Sequence, residues 1–210
     1  MDVKLKICGM KEPTNILDVA GLLPDYLGFI FYKGSKRYVE GLTPVFVRDL
    51  PTEIKRVGVF VNEDLVKVAE LATLFGLNAV QLHGDESPLY CAELRTELAE
   101  EGVAVIKAFG IDEDFDFSLL ENYLDLVDYF LFDTQTPQHG GSGKVFNWEL
   151  LKKYNLDKPY FLSGGIGPES LDQLHQITDP RLFAIDVNSR FEIAPGIKDI
   201  DKLKNFKERL

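Results

Sequence analysis

Cysteine is scarce in this chain: two residues in 210, Cys8 and Cys91. They lie far apart and show no metal-type spacing. That excludes a disulfide scaffold and a cysteine-based metal site, and it fits a reducing, cytoplasmic setting. Long apolar runs are missing too. No segment reaches the roughly 18 consecutive apolar residues of a membrane-spanning helix. The opening MDVKLKICGM also lacks the apolar stretch of a secretory leader. Basic residues are in deficit, 23 Lys and Arg against 34 Asp and Glu, for a net charge of −11. Such a chain repels phosphate backbones, so nucleic acid is not expected as its main partner. A small anionic ligand stays open, because a site can be positive within a negative protein. No linker or low-complexity segment interrupts the sequence, and 45% of it is hydrophobic. One sizeable core is expected, with residues 1–210 as one domain.

Short β-rich runs alternate with helix-like runs throughout. The strand candidates are 4–8, 26–31, 56–61, 79–83, 103–109, 129–133, 159–163 and 182–187. Most are near-continuous apolar runs, the pattern of strands covered on both faces. Helix candidates lie at 62–77, with Asn62 as the expected N-cap, and at 87–102, where Ser87 precedes Pro88. Residues 147–156, 167–177 and 199–210 behave similarly, and 43–50 and 113–127 carry fainter patterns. Eight strands, each followed by a helix, predict a single-domain α/β fold, the (β/α)8 TIM barrel, with an open α/β sheet as the alternative.

LKICGM (5–10) raises a question within that frame: why should a thiol arrive where a strand opens into a loop? Cysteine is often an inert small hydrophobe, but strand ends are where α/β proteins place chemistry. Side chains alternate between the faces of a strand. Lys4, Lys6 and Cys8 share one parity, opposite Leu5 and Ile7. Gln81 and His83 stand opposite Val80 and Leu82, Lys107 opposite Ile106, Asp133 opposite Phe130 and Phe132, and Asp186 opposite Ile185 and Val187. The pattern predicts polar groups inside the barrel, toward its C-terminal mouth, either as a site or as an internal ion-pair set of Lys6 and Lys107 with Asp133 and Asp186. Cys8 and Asp133, at the very ends of their strands, favour function.

The seventh strand runs into SGGIGPES (163–170). Gly164 and Gly165 let backbone N–H groups approach a ligand, and a helix N-terminus follows. The eighth runs into NSRFEIAPG (188–196), where Ser189 and its backbone can share that ligand. Loops after the seventh and eighth strands of such barrels frequently bind phosphate. Arg190 either adds charge there or is a solvated surface residue. Residues 135–148 form a long glycine-rich loop, expected as a lid; its GGSGKV is not a P-loop, and His139 within it has no role. Arg37, after the second strand, suits a bidentate grip on a carboxylate or belongs to a surface basic patch.

Taken together and in order, KICGM, GFIFYKGSKRYV, VGVFVN, VQLHGDE, LFDT before GGSGKVFNW, LSGGI and PGIKD resemble the phosphoribosylanthranilate isomerase family over nearly the whole chain. The resemblance implies a cofactor- and metal-independent Amadori rearrangement in tryptophan biosynthesis. It implies Cys8 as general base and Asp133 as general acid. Arg37 lies near the anthranilate moiety, and Gly164, Gly165 and Ser189 in the phosphate loops. His83 and Asp186 are further candidates for binding the substrate. The expected partner is a small phosphorylated substrate, with no nucleic acid or membrane, for a monomer or homodimer. The chain departs from the family at Arg190, where glycine is common. Against the rival of an indole-glycerol-phosphate synthase relative, the mouth holds mainly Cys, Asp and His rather than Lys and paired Glu. A thiol redox protein would want a resolving cysteine near Cys8. A non-catalytic phosphosugar-binding module would not need both Cys8 and Asp133.

Overall fold

The computed structural model describes residues 3–134 and 147–210. Eight parallel strands follow one another in chain order: β1 (Lys4–Ile7), β2 (Tyr26–Ile30), β3 (Lys55–Phe60), β4 (Ala79–Leu82), β5 (Ala104–Ile111), β6 (Tyr129–Thr134), β7 (Tyr160–Leu162) and β8 (Leu182–Val187). The sheet closes through β8 and β1, which pair Lys4 with Ala184 and Lys6 with Asp186. The expected barrel therefore forms, and the open-sheet alternative falls. Each strand lies where an apolar run was read, because a strand sandwiched between barrel interior and helices must be apolar on both faces.

The alternation of side chains builds two apolar layers. Val57, Ala79, Ile106, Ala108, Leu131, Phe161 and Ala184 fill the interior of the barrel. Leu82, Phe130, Phe132, Ile185 and Val187 belong to the larger cluster between barrel and helices. Each fully buried Leu, Ile or Phe contributes about 1.5–3 kcal/mol.

Lys107 departs from the expected polar interior. Gln81 pairs in register with Ile106, and Leu82 with Lys107. Ile106 lies in the interior layer, so Lys107 points the other way, toward the helices. Its Nζ, 2% exposed as a residue, donates to Glu86 Oε2 at 3.1 Å and to the Gly84 carbonyl at 2.7 Å. Glu86 in turn accepts from the N–H groups of Asn62 (2.9 Å) and Gly84 (3.0 Å). Parity within one strand says which residues share a face; only the register with its neighbours says which face is inside. The ion-pair set of Lys107 with Asp133 or Asp186 is thus replaced by Lys107 with Glu86, outside the barrel.

The crossovers vary. The first, with no candidate helix in the sequence, is α1 (Pro13–Ala20), capped by Glu12, whose carboxylate accepts from the N–H groups of Thr14 and Asn15. Then come α2 (Pro44–Arg48), α3 (Leu65–Phe75) and α4 (Pro88–Glu97). Ser87 caps α4 through the Tyr90 N–H, as expected. Asp64, not Asn62, caps α3. Asn62 instead sits at φ 50° and accepts from the Asp85 N–H at 2.7 Å, tying two loops together. The later crossovers are 3₁₀ turns at Phe117–Tyr123, Trp148–Lys153 and Pro168–Ser170, the last leading into the single turn α5 (Leu171–Leu174). In the first of these, Asp112 and Asp116 accept from nearby backbone N–H groups, a local alternative that competes with α-helix. The chain ends in α6 (Ile200–Lys207).

A hairpin, β9 (Glu192–Ala194) and β10 (Ile197–Lys198), lies between β8 and α6. Asn15 on α1 anchors it, exchanging two hydrogen bonds with the Lys198 backbone at 2.9 and 2.7 Å. Among the described residues no helix is long and apolar enough to cross a membrane. The expected lid over 135–148, with GGSGKV and His139, falls almost wholly outside the described residues.

Candidate active site

At the C-terminal mouth of the barrel, one pocket gathers Cys8, Arg37, His83, Asp133, Gly164, Gly165, Asp186 and Ser189 in its walls. All eight residues singled out in the sequence therefore meet in one place. Asp133 lies in β6 and Asp186 in β8, and the others come from the loops beyond β1, β2, β4, β7 and β8.

Cys8 follows β1, and its N–H donates to the Val187 carbonyl at 2.9 Å. Its thiol lies against Gly28, where a Cβ would stand 2.8 Å from Sγ. The next residue, Gly9, has φ +76°, and a Cβ there would meet the Arg37 Cδ at 2.6 Å. The Cys-Gly pair thus serves two ends: the thiol turns into the pocket, and the bare backbone behind it lets Arg37 lie across. Burial pushes the Cys8 thiol up, while Lys6 and Lys198 pull it the other way without reversing the shift.

Lys6 stands one step below the thiol on the same face, with its side chain fully buried. Its Nζ donates to Asp186 Oδ2 at 2.7 Å and to Gln81 Oε1 at 2.8 Å. Burial opposes the charge on Lys6, but Asp186 and Cys8 outweigh it and hold the ammonium above its usual range. Burial also pushes the Asp186 carboxyl up, against the pull of Lys6. Asp186 Oδ1 is buried with no hydrogen-bond partner. Buried acceptors are nearly always satisfied, and this one lies in the pocket wall.

On the far wall, Asp133 is the last residue but one of β6. Its Oδ1 accepts from the Thr134 N–H at 2.8 Å, and its Oδ2 lies 3.3 Å from His83 Nε2. His83 Nδ1 lies 2.8 Å from Gln81 Nε2. Above Asp133 sits Gly164 at φ +94°, where a Cβ would come within 2.9 Å of Asp133 Oδ1 and 2.6 Å of the Thr134 N. Gly165 follows at φ +66°. Only glycine adopts two such residues in succession without strain. Ser189 opens the 3₁₀ turn Ser189–Phe191, beyond the strand next to the one that leads into the glycine pair, and lines the same pocket. Arg190 also lines the pocket, its Nη1 3.7 Å from Glu169 Oε1, with both side chains largely exposed.

Arg37 is in the pocket wall, but its bidentate partner is Glu192, not an open position for a ligand. Nε and Nη2 donate to Oε1 and Oε2 at 2.8 and 2.6 Å. The Nη1 edge is left out of that contact. Lys198 Nζ adds a bond to Glu192 Oε1 at 2.8 Å and one to Asn188 Oδ1 at 2.7 Å. Glu192, Lys198 and Asn188 were not read from the sequence. Their segment looked like a plain loop, and only the hairpin folds Glu192 and Lys198 back against the thiol. Gln81 lies on the inward face that the sequence assigns to it and His83, and it too lines the pocket. Among the described residues, no group of three or more His, Cys, Asp or Glu could hold a metal ion.

The model of the family described as N-(5'-phosphoribosyl)anthranilate (PRA) isomerase matches residues 5–209. An N-(5'-phosphoribosyl)anthranilate isomerase of Parabacteroides distasonis is 46% identical over 209 residues, covering 98% of this chain and 92% of the relative. The crystal structure of phosphoribosyl anthranilate isomerase from Thermotoga maritima superposes with a TM-score of 0.82 at 38% identity, over 99% of this chain and 98% of that one. A crystal structure of phosphoribosyl anthranilate isomerase in complex with reduced 1-(o-carboxyphenylamino)-1-deoxyribulose 5-phosphate superposes with a TM-score of 0.78 at 36% identity, over 99% of this chain and 97% of that one.

Proposed function

The chain belongs to the N-(5'-phosphoribosyl)anthranilate isomerase family, and from that premise we propose that Cys8 and Asp133 drive its Amadori rearrangement as general base and general acid. The enzyme is an isomerase of tryptophan biosynthesis. Its substrate, N-(5-phosphoribosyl)anthranilate, becomes 1-(2-carboxyphenylamino)-1-deoxyribulose 5-phosphate. The observation that carries the assignment is the shared pocket: a thiol from one wall and a carboxyl from the other face the same space.

Asp133 gives a proton to the furanose ring oxygen as the bond from that oxygen to C1′ breaks. The nitrogen lone pair forms the iminium, and the cation acidifies the C2′ proton. The Cys8 thiolate removes that proton, and the C–H electrons flow into the enolamine, which tautomerises to the ketone. The thiolate is opposed by burial and supported by Lys6 and Lys198, and the iminium cation adds further support as it forms.

The phosphate is read into the loops of Gly164, Gly165 and Ser189, whose backbone can turn N–H groups toward an anion. The unsatisfied Asp186 Oδ1 suits a substrate hydroxyl or N–H. Arg37 offers its Nη1 edge to the anthranilate carboxylate as a single charged contact, because Glu192 takes the fork. The relative bound to the reduced product analogue supports a phosphorylated ligand of this size.

The test follows the loss of phosphoribosylanthranilate fluorescence. Wild type should consume it without added metal or cofactor. Cys8→Ser and Asp133→Asn should each lower kcat by about 10²–10⁴-fold with modest change in KM, as expected when a proton-transfer step is lost. A sharp rise in KM with kcat intact would make either residue a binding group instead.

A further inference from the structure

Gln81 is 1% exposed, in the barrel interior at the floor of the pocket, and the proposed chemistry does not use it. Its two neighbours constrain it fully. Lys6 carries three N–H donors and no acceptor, so the amide must present its oxygen to Lys6, at 2.8 Å. The amide nitrogen then faces His83 Nδ1, also at 2.8 Å. That nitrogen is a donor only, so Nδ1 has to offer its lone pair. The ring proton is left on Nε2, the atom 3.3 Å from Asp133 Oδ2. Every direction along Asp186–Lys6–Gln81–His83–Asp133 thus follows from one buried ammonium. The chain crosses the mouth from β8 and β1 through β4 to β6.

We propose that Gln81 is a positioning residue for the isomerisation: held by Lys6, it fixes His83 as the Nε2–H tautomer and aims that N–H at Asp133. Two consequences bear on the chemistry. With its lone pair turned away, His83 cannot take the proton that Asp133 must deliver to the substrate. Once that proton has gone, the Nε2–H is in place to receive the negative charge that develops on Asp133, the point at which a fixed dipole counts most. The two atoms stand 3.3 Å apart, close enough for a hydrogen bond to form as the charge grows. The proposal rests on the reading of Asp133 as the acid.

The test is Gln81→Glu, which keeps the shape and still accepts from Lys6 but turns a second acceptor toward Nδ1. Nitrogen-15 NMR of the ligand-free enzyme, with the His83 signals identified by comparison with His83→Asn, should show Nε2 protonated and Nδ1 bare in wild type. In Gln81→Glu, Nδ1 should become protonated, and kcat should fall about tenfold or more with KM changed by less than about twofold, a loss on the scale of one misplaced donor at a developing charge. Gln81→Met, which offers no donor or acceptor of comparable strength, should lower kcat without forcing the tautomer over. Thermal melting confirms that each variant is folded, and if Gln81→Glu does not fold, Gln81→Met decides the kinetic arm. A wild-type proton on Nδ1 overturns the proposal. So does Gln81→Glu with an inverted ring and unchanged kcat, or with lowered kcat and an unchanged ring. If Asp133→Asn keeps its kcat while wild-type His83 carries Nε2–H, the acid assignment fails and the tautomer assignment stands.

Discussion

Arg37 and Glu192, 155 residues apart in sequence, form a two-pronged ion pair beside the thiol, at 2.8 and 2.6 Å. Lys198, fully buried, shares the same carboxylate. Burial pushes the Glu192 carboxyl up, and Arg37 and Lys198 together outweigh it and hold it below the usual carboxylate range. Glu192→Gln leaves the buried Lys198 and the half-buried Arg37 without their counterion, and breaking a buried pair costs about 3–5 kcal/mol. The melting temperature should drop clearly, and KM should rise as Arg37 loses its anchor. The sign with pH is fixed by the depressed carboxyl. Its stabilisation is present above the unfolded glutamate value, about 4.3, and is lost as the pH falls through the lower folded value. Denaturant melts of wild type and variant should therefore differ most above that range and converge in acid; a gap that persists unchanged in acid would argue against the ion pair as its source.

The raised thiol of Cys8 gives a second expectation. In a Cys91→Ala background, alkylation of Cys8 by iodoacetamide should be slow at neutral pH. It should climb through and beyond the ordinary thiol range, about 8.5. A plateau in alkylation already at neutral pH would show that Lys6 and Lys198 overcome burial.

Gly164 and Gly165 should respond differently to alanine. At Gly164 an added Cβ runs into Thr134 Oγ1 and comes within 2.9 Å of Asp133 Oδ1, so Gly164→Ala should lower kcat as well as raise KM. Gly165→Ala at φ +66° incurs backbone strain of about 1–2 kcal/mol and should act mainly on KM, through the phosphate. Steady-state kinetics of the two variants, with inorganic phosphate as a competitive probe, separates these effects. Equal losses in kcat would place both glycines against the acid.

Lys107 faces the helices, not the mouth. Glu86→Ala should therefore destabilise the fold by about 3–5 kcal/mol through the stranded Lys107 ammonium, while KM for the folded enzyme stays near wild type. A selective rise in KM without loss of stability would return Lys107 to the pocket.

The sequence by itself determined the barrel and the membership of its mouth. Strands buried on both faces must be apolar throughout, so the runs at 26–31 and 182–187 could be read without any contact being known. The period of two placed Cys8, His83, Asp133 and Asp186 on shared faces. Only the tertiary structure decided which face was inside for Lys107, because that depends on register with β4 and β6 and not on β5 alone. Only it chose the partner of Arg37, since Glu192 comes to Arg37 through a hairpin whose sequence carries no strand pattern of its own. And only it gave His83 its tautomer: a ring proton is settled by what stands on either side, and Lys6, Gln81 and Asp133 meet around His83 nowhere but in the closed barrel.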